Sequence, residues 1–493
     1  MAIGPKKDIG RDLKVFAASQ ASFATATNGT TAGENYPEAG DAIRVITATG
    51  GGSMPFATRE DKFGTATYVG GIQQKLTSEA SLETYLMVNG TPAQVPDIGP
   101  DLLEAGGWAV VDTSSISTTV SSGTNATVFV VGSATGFVEG GGVAIEDNSN
   151  SDLYHLRRIV TVASTTITVE PALPATPTST KNIKGCTSYK PDDSRDGGNS
   201  DGTGRALALF VANNRSLDQI ESFMPTSFAF SFGGDSAARL SVSGTGRITN
   251  RMLSTTVTEP IDAVEEYFNV ADGAVFEALN SLAVPAYYQI DDEIVKCTAV
   301  AAGTVTVVRD QFSSGAATHA DGSALVPMGT QLAGTYTGGP VAATSGAIYW
   351  SQVGATAAAA SLQMTTATVE CGFGVTTRDN VHGTNAVVAG YTMNTREVNL
   401  AMSGWTIFDD DLAVHSDLAA GWWSGVGTGT NSQQIKVVVQ QGAKLGKSVA
   451  MVAPAFRPTF ASLDRGSEEV TLETAGICEG TSSGADEILL IFS

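Results

Sequence analysis

An acidic, glycine-rich segment carries the strongest metal-binding pattern in the sequence. In DDSRDGGNSDG, Asp192, Ser194 and Asp196 stand at the first, third and fifth positions of a calcium loop, and Gly197 stands at the sixth. The twelfth position is Thr203, where such a loop needs a glutamate that binds the ion through both carboxylate oxygens. We therefore interpret the segment as a solvated acidic linker, with a weak Ca²⁺ site as the alternative, and predict no metal site.

The histidines and cysteines form no metal or redox motif. The histidines lie outside any HExxH pattern and beside no cysteine, so we expect them to be exposed or structurally hydrogen-bonded. The cysteines have no CxxC spacing, and we interpret them as small, mostly buried residues in a reducing compartment. These residues are His155, His319, His382 and His415, and Cys186, Cys297, Cys371 and Cys478.

The sequence predicts no catalytic group. Ser236 in FGGDSAA lacks the flanking glycines of a nucleophile motif and is expected in a hairpin turn. The acidic runs at 291–293 and 409–411 are explained by strands or a helix start rather than by a catalytic carboxylate pair. The glycines of 425–430 have neither a lysine nor a strand-then-helix context, so they predict a flexible loop. We therefore predict that the protein is not an enzyme and uses no cofactor.

The charge balance argues against binding to nucleic acid or membranes by charge neutralisation. The 493 residues include 28 basic and 50 acidic ones, a formal net charge of −22, and such a surface repels phosphates and anionic lipids. No apolar run reaches the ~18 residues of a membrane helix. The start, MAIGPKKDIGRDLKVF, has no apolar segment behind its basic residues. We expect a soluble protein that is not conventionally secreted.

Short runs of β-branched and aromatic residues, separated by Gly, Asn, Asp, Ser or Pro, predict a mainly β fold. Two segments have helix signals, 97–106 (DIGPDLLEAG) and 409–420 (DDDLAVHSDLAA), since each opens with Asp and closes at a glycine. The runs that we predict as strands are ATVFVV, RRIVTVASTTITVE, LALFVA, TAVAAGTVTVVRD, QQIKVVVQQ and EEVTLETAG.

The front of the chain is repeated near its end. Five residues return 319 positions later: Thr58, Arg59, Gly64, Thr65 and Gly71 match Thr377, Arg378, Gly383, Thr384 and Gly390. Three further matches follow in the same order: DLLEAGGW (101–108) with DLAAGW (417–422), FMPTSF around Pro225 with VAPAF around Pro454, and ARLSVSGTG (238–246) with EVTLETAG (469–476). The order of the matches predicts two copies of one large domain.

A second, smaller repeat predicts two inserted β modules. VTVASTTITV (160–169) aligns with TAVAAGTVTV (298–307) at an offset of 138, and AIED (144–147) resembles QIDDE (289–293). We predict a first large domain at 1–111 and 191–261, interrupted by a small β module at 112–190. A second small module follows at 262–330, and the second large domain occupies 331–493.

The duplicated segments resemble the major tail tube proteins of long-tailed bacteriophages, in their duplicated form. The resemblance covers 42–108, 205–256 and 361–493 and rests on the strand pair around 58–86, the short helix that closes on Gly-Gly-Trp108, and the proline-then-strand segment after Met224. QQIKVVVQQGAKLGKSVAMVAPAF and the terminal ADEILLIFS are its most similar part. The module with YYQIDDEIVKCTAV resembles small β domains of phage structural proteins.

The resemblance implies two tandem β-sandwich, barrel-forming domains, each with a short flanking helix. Strands of neighbouring domains would close a ring around a continuous β-barrel, so a two-domain chain implies a homotrimer with a pseudo-hexameric ring. Stacked rings would form the hollow tail tube in the virion, assembled in the host cytoplasm. The implied partners are other copies of the chain and the tape measure, tail terminator and distal tail or baseplate proteins, with phage DNA passing through the lumen without specific binding.

The same resemblance nominates residues for the lumen and for contacts between rings. Glu79, Glu83 and Glu397, on or near the strands expected to form the barrel, are the lumen-lining candidates, because an acidic wall repels DNA. The long loops 27–37 and 340–360 are the candidates for ring-to-ring contacts.

Two other classes of protein remain open at the sequence level. A phage adhesin or decoration protein with glycan-binding β modules would carry exposed aromatic clusters, for which Tyr154 and the Tyr287–Tyr288 pair are the obvious residues. A secreted polysaccharide-active enzyme is disfavoured by the missing signal peptide and the unconvincing acid pairs.

Overall fold

The computed structural model describes residues 13–19, 36–53, 56–58, 71–73, 77–88, 90, 102–104, 106–192, 207–273, 286–336, 338–342, 346–352, 356–379, 388–405, 434–464, 471–480 and 486–493. The fold is mainly β, as predicted. In the described residues, the short 3₁₀ helices are Ala39–Asp41 and Gln311–Ser313.

The chain is built from two halves and two small modules. The first half has β1 (Lys14–Ser19), β2 (Ala42–Ile43), β3 (Thr47–Ser53), β4 (Phe56–Thr58), β5 (Gly71–Gln73), β6 (Thr77–Tyr85), β7 (Met87–Val88), β8 (Trp108–Asp112), β15 (Thr187–Pro191), β16 (Leu207–Ala212), β17 (Ser216–Gly233), β18 (Arg239–Gly246) and β19 (Ile248–Leu253). The second half has β26 (Gly339–Pro340), β27 (Ala347–Gln352), β28 (Ala360–Asp379), β29 (Val388–Trp405), β30 (Ile435–Gln441), β31 (Val449–Asp464), β32 (Thr471–Cys478) and β33 (Leu489–Phe492).

The two modules lie between these strands in sequence. The barrel module has β9 (Ser117–Gly123), β10 (Val128–Val131), β11 (Gly142–Glu146), β12 (Tyr154–Ala163), β13 (Thr166–Glu170) and β14 (Asn182–Gly185). The sheet module has β20 (Thr255–Thr256), β21 (Tyr267–Asn269), β22 (Ala286–Ile290), β23 (Glu293–Ala301), β24 (Thr304–Val308) and β25 (Ala324–Pro327).

One antiparallel sheet, here called the shared sheet, runs through both halves. Its strand order is β3–β6–β18–β17–β28–β29–β32–β31, with four strands from each half. β17 and β28 form the junction between the halves. The strands alternate strictly, as in β6, where Ser78, Ala80, Leu82 and Thr84 are buried. One face of the shared sheet therefore contributes to a core and the other does not.

Each half packs a second, outer sheet against the buried face. The outer sheet of the first half runs β2–β1–β16–β17–β19, and that of the second half runs β28–β27–β30–β31–β33 and continues through β15 to β8. A single hydrophobic core that includes Trp108, Phe228 and Phe230 fills the space between the layers. Each half is thus a β-sandwich.

The halves repeat the same strand pairings. β1, β16, β17, β18 and β19 correspond to β27, β30, β31, β32 and β33, while β2 with β3 corresponds to β28, and β6 to β29. A bulge interrupts the β16–β17 and β30–β31 pairings at the same place, with its extra residue in β17 and in β31. Matched pairs are Leu207–Phe223 with Ile435–Phe456, Leu209–Ile220 with Val437–Ala453, and Val15–Ile43 with Ile348–Leu362. This agreement in register confirms the large repeat.

The structure corrects two of the predicted matches. Pro225 corresponds to Pro458, not to Pro454, because Pro225 lies opposite Gly244 and Pro458 lies opposite Gly476, with a bulge directly after each proline. In the front hairpin, Thr58 pairs with Gly71 and Thr377 with Tyr391. The offset of 319 therefore holds for the first strand only, and Gly71 corresponds to Tyr391 rather than to Gly390.

The barrel module is a closed six-stranded barrel in the order β10–β13–β12–β11–β14–β9, and the sheet module is an open sheet in the order β20–β25–β22–β23–β24–β21. Their central hairpins match at the predicted offset of 138. The pairs Val162–Ile167 and Ala163–Thr166 correspond to Val300–Val305 and Ala301–Thr304, and both hairpins have a bulge at the same place. The small repeat is therefore confirmed at the level of this hairpin.

Each module covers the outer sheet of one half. The barrel module, which interrupts the first half, packs Ala144, Tyr154 and Leu156 against Val438 and Ile491 of the second half. The sheet module packs residues of β22 and β24 against the first half, where Phe16, Phe210, Leu217 and Met252 belong to the same cluster. β20 lies at residues 255–256, before the predicted start of the second module at 262, and pairs with β25.

The predicted loop at 340–360 is wrong. It contains β27, in which Ile348 and Trp350 are buried and whose backbone pairs with β28 and β30 on its two sides. The alternation of AIYWSQ places these apolar residues on the core face. The other predicted contact loop, 27–37, lies almost wholly outside the described residues.

The flanking helices remain predictions. Of the segment 97–106, residues 102–104 and 106 are described, and the Gly106 N–H donates to the Leu102 carbonyl at 3.1 Å, as in one turn of α-helix. The segment 409–420 lies outside the described residues. In the part of the chain that is described, no helix is long and apolar enough to cross a bilayer.

Candidate functional site

The shared sheet has one face that the core does not cover, here called the polar face. Its buried face is a continuous apolar layer, shown by the paired row Leu82, Val242, Phe228, Cys371 and Val398, all at most 3% exposed. The next row along the strands belongs to the polar face and reads Glu83, Ser241, Ala229, Glu370 and Asn399. The polar face therefore spans both halves.

All three glutamates nominated from the sequence lie on the polar face. Glu79 and Glu397 are exposed, and Glu83 is half-buried. The structure adds Glu370 and Glu473, which are also exposed on this face. Neither was nominated from the sequence, although Glu473 lies in the predicted strand EEVTLETAG and Glu370 lies in β28, the hairpin partner of the strand that carries Glu397. Their positions in alternating strands, next to buried Val369 and Leu472, were the available signal.

Basic residues on the polar face include Arg457 and Arg239. Arg457 lies opposite exposed Ile477 and 2.8 Å from Glu479. Arg239 Nη1 lies 2.9 Å from Oε1 of Glu83, and the guanidinium carbon of Arg239 lies 5.8 Å from the centre of the Tyr85 ring. The side chain of Arg239 is 42% exposed, so this pair stabilises the fold only weakly. The five carboxylates outnumber these guanidinium groups, each of which is paired with a glutamate, so the polar face carries an excess of negative charge.

Hydroxyl groups fill the space between the charges. Side-chain hydrogen bonds link Thr49 to Ser81 at 2.8 Å and Ser227 to Ser243 at 2.7 Å, each across one strand boundary. Thr366 and Ser403 are linked in the same way at 2.9 Å. These hydroxyls of the polar face therefore satisfy one another across the strands. Such a surface is hydrated, carries few donors free for a phosphate and repels polyanions.

The acidic run at 291–293 is a structural cluster. Glu293 is buried and accepts hydrogen bonds from Arg309 Nε at 2.6 Å and His319 Nε2 at 2.9 Å. Burial alone would raise the pKa of Glu293, but the bonds from Arg309, His319 and the Ala317 and Asp310 N–H groups outweigh it and lower the pKa to about 2. A carboxylate held ionised by so many donors suits structure rather than proton transfer.

A second histidine cluster lies in the barrel module. His155 Nε2 lies 2.9 Å from Oδ2 of Asp147, and its ring meets Tyr349 edge-on. Burial, followed by the charge of Arg157, lowers the pKa of His155 to about 4. Arg157 itself is fully buried and donates to the carbonyls of Leu156 and Ala172 at 2.8 and 3.2 Å. Of these contacts, the one with Tyr349 joins the module to the second half, and the Arg157 guanidinium also lies 4.9 Å from the Tyr349 ring.

Other residues considered from the sequence have structural positions. Ser236 lies in the turn between β17 and β18, as expected. Burial raises the pKa of the Cys371 and Cys478 thiols to about 12, which makes them unreactive, and none of the four cysteines is in a disulfide. His382, His415 and the segments 193–200, 409–411 and 425–430 lie outside the described residues.

The described residues hold no group of three or more His, Cys, Asp or Glu side chains arranged to bind a metal ion. The tyrosines noted for glycan binding are buried: Tyr154 is 7%, Tyr287 3% and Tyr288 0% exposed. Aromatic stacking on a sugar requires an accessible ring, so these three side chains do not provide it.

The shared sheet ends in two open strand edges. β3 pairs only with β6, and residues 460–464 of β31 pair only with β32, among the strands that are described. At the corresponding position inside the chain, residues 227–233 of β17 pair with β28. At each open edge, a strand therefore lacks the second partner strand that its equivalent has inside the chain.

No protein-family model matches the chain, and no curated protein sequence is similar to it. The fold, the polar face and the open edges are thus the observations on which a function can be argued.

Proposed function

We propose that the chain is a subunit of a hollow tail tube of a long-tailed bacteriophage. Three copies form a ring, stacked rings form the tube, and the polar face lines the channel through which the genome leaves the virion. The observation that carries this proposal is the shared sheet: two equivalent four-stranded halves joined side by side, with an open edge at each end.

Each open edge of the shared sheet presents backbone N–H and C=O groups that can pair with another strand. Exposed edges pair with other chains unless they are blunted by charges, proline or bulges. The antiparallel pairing between β17 and β28 inside the chain shows how one half joins the next. Repetition of that contact between chains closes a barrel, which removes all edges.

The size of the barrel supports a conduit. Three copies of the eight-stranded shared sheet give 24 strands, and at about 4.8 Å between strands the backbone circle is at least roughly 37 Å across. Barrels of 16–18 strands already hold an aqueous channel. A 24-stranded barrel therefore leaves an open lumen, and its side chains decide what passes.

The acidic polar face suits the passage of DNA. Affinity for a duplex comes mainly from Lys and Arg neutralising phosphates, and the arginines of the polar face are already paired with carboxylates, Arg239 with Glu83 and Arg457 with Glu479. The two modules cover the outer sheets, on the opposite side from the polar face. We propose that they lie on the outside of the tube and that tape measure, tail terminator and distal tail proteins are the partners at its interior and ends.

Negative-stain electron microscopy of the purified protein tests the proposal. We expect hollow tubes, or three-fold rings with six-fold-like modulation, in class averages. Compact single particles at all protein concentrations, with and without tail initiator proteins, would contradict the tube and favour a decoration protein or adhesin.

A further inference from the structure

The two open edges of the shared sheet belong to the same chain and correspond to the two strands of its internal junction. We propose that residues 460–464 of β31 in one copy pair with β3 of the next copy, in the register that β17 and β28 show inside the chain. This inference rests on the proposed ring and specifies the contact that closes it.

The internal junction provides the template. Its antiparallel pairs begin at Ser227–Gly372 and end at Gly233–Thr366. β31 repeats β17 at an offset of 233, since Pro225 and Pro458 each lie opposite a glycine and each precede a bulge. β3 repeats the paired part of β28 at an offset of 319, since Thr47–Glu83 corresponds to Thr366–Ser403 and Ser53–Thr77 to Gly372–Glu397.

The hydrogen bonds around the prolines support the offset independently. Thr226 Oγ1 donates to the Ser243 carbonyl at 3.2 Å, and Thr459 Oγ1 donates to the Ala475 carbonyl, also at 3.2 Å. The two bulges thus share the same side-chain hydrogen bond, which supports the offset of 233 between the strands.

Transfer of the two offsets gives the register between copies. The internal pairs 227–372, 228–371, 229–370, 230–369 and 231–368 become contacts between residues of neighbouring chains. The proposed pairs are Phe460–Ser53, Ala461–Gly52, Ser462–Gly51, Leu463–Gly50 and Asp464–Thr49.

The composition of β3 fits a strand that is covered in the assembly. Its sequence, TATGGGS, contains no charge and no proline, and its exposed residues include Thr47, Thr49 and Ser53. Natural sheets protect an exposed edge with lysine, proline or a bulge. β3 has none of these devices, so its open edge is expected to be occupied, and the edge of β31 is the partner that the chain itself supplies.

Cysteine cross-linking reads the register directly. A Cβ at Gly51 would have no atom within 4 Å, so the Gly51→Cys change of the double variant G51C/S462C introduces its thiol without a clash. Directly opposed residues have Cα atoms about 4.5–5.5 Å apart, within the range of a disulfide, whereas a shift of two residues separates them by about 7–8 Å. G51C/F460C and G51C/D464C are the matched out-of-register controls.

An internal control and a second pair complete the design. A229C/E370C places the same type of pair in the junction between β17 and β28, and it should form a disulfide within a single chain. T49C/D464C is a second in-register pair for use if the Gly51 variant assembles poorly.

We expect G51C/S462C rings to give a ladder on non-reducing gels that ends at three chains, and the out-of-register variants to lose it. If rings form but cross-link through an out-of-register pair, or through neither of the in-register pairs, the proposed pairing of β31 with β3 is overturned. The proposed ring itself would not be contradicted by that result. A wild-type protein that forms no rings would instead overturn the proposed function, and the seam with it.

Discussion

At the scale of single residues, the polar face shows how charge is distributed over a duplicated sheet. The acidic positions of the two halves do not coincide: Glu79 corresponds to Asn399, and Glu473 to Ser241, by the pairings of β6, β18, β29 and β32. The duplicated halves keep the polar character of this face but not its individual charges. A single altered glutamate therefore changes the face once per chain, not twice.

Reversal of charge on the polar face should slow the passage of DNA. The variant E79K/E397K replaces two exposed carboxylates with ammonium groups. Ammonium groups bind the phosphates of DNA and release the counterions that surround them. We expect slower genome ejection from phage particles that carry it, with a deficit that shrinks at high salt. E266K, on an exposed position of the sheet module, makes the same change away from the polar face and should leave ejection unchanged. Equal ejection kinetics for all three proteins would contradict the role of the face.

The buried Glu293 should make the sheet module sensitive to acid. Its pKa in the folded protein is about 2, below the ordinary value of 4.5, so the folded state favours the ionised form. Its contribution is complete above about pH 4.5 and is lost as the pH falls toward 2. E293Q leaves buried Arg309 without its charge partner and should cost about 3–5 kcal/mol at neutral pH.

Denaturation of wild type and E293Q between pH 6 and 3 checks this expectation. The difference in unfolding free energy should shrink below pH 4.5. D292N, at the neighbouring exposed position, serves as the control and should change stability little. If the difference in unfolding free energy between wild type and E293Q stays constant across this pH range, Glu293 does not titrate as described.

At the scale of strands, the proline-glycine pairs are the clearest mark of the duplication. Gly244 and Gly476 lie where a Cβ would be 2.3 Å from the Met224 carbonyl oxygen and 2.0 Å from that of Arg457, respectively. Real Cβ atoms do not approach backbone atoms so closely. The bulged strand thus passes so near its neighbour that only glycine fits, once in each half.

Alanine at either glycine should therefore destabilise the protein. We expect G244A and G476A each to cost about 1–3 kcal/mol, as overpacked sites do, and to do so to a similar extent. G51A, at a strand glycine with open space around it, is the matched control and should be neutral or slightly stabilising. Equal stability of all four proteins in chemical denaturation would argue against the equivalence of the two bulges.

The strands also show what the sequence could and could not predict. Alternation and β-branched runs located most strands correctly, because those signals are local. The match of Pro225 with Pro454 was wrong because VAPAF and FRPTF lie four residues apart in the same strand, and only the pairing with Gly476 identifies the true equivalent. β27 was missed because its flanking alanine, glycine and threonine residues resemble a linker, while its own Ile348 and Trp350 are buried by strands distant in sequence.

At the scale of the whole molecule, the second half is completed by elements that come from the first part of the chain. The second half receives β17 at the edge of β28, β15 at the edge of β33, and the barrel module over its outer sheet. Glu170 of the barrel module bridges Arg158 and Lys436, and Arg158 also lies 3.2 Å from Asp486. All these partners except Lys436 and Asp486 come from the first 330 residues.

A fragment of residues 331–493 should therefore be insoluble when produced alone. Its outer sheet would expose Val438, Ala450, Val452 and Ile491, which the barrel module buries, and its shared-sheet edge would be open. Co-production with residues 1–330 should restore solubility. Residues 113–186, by contrast, have their own closed barrel and core and should fold alone. A soluble, folded 331–493 fragment by circular dichroism would show that the halves are independent.

The junction between β17 and β28 also bears on how a ring comes together. Because both strands are in one chain, every second seam of the proposed ring forms during folding and requires no encounter between molecules. Three molecules must meet where single halves would need six, and tethered halves meet at a high effective concentration. Ring formation should therefore depend on a lower power of protein concentration, so that assembly tolerates the dilute conditions early in synthesis.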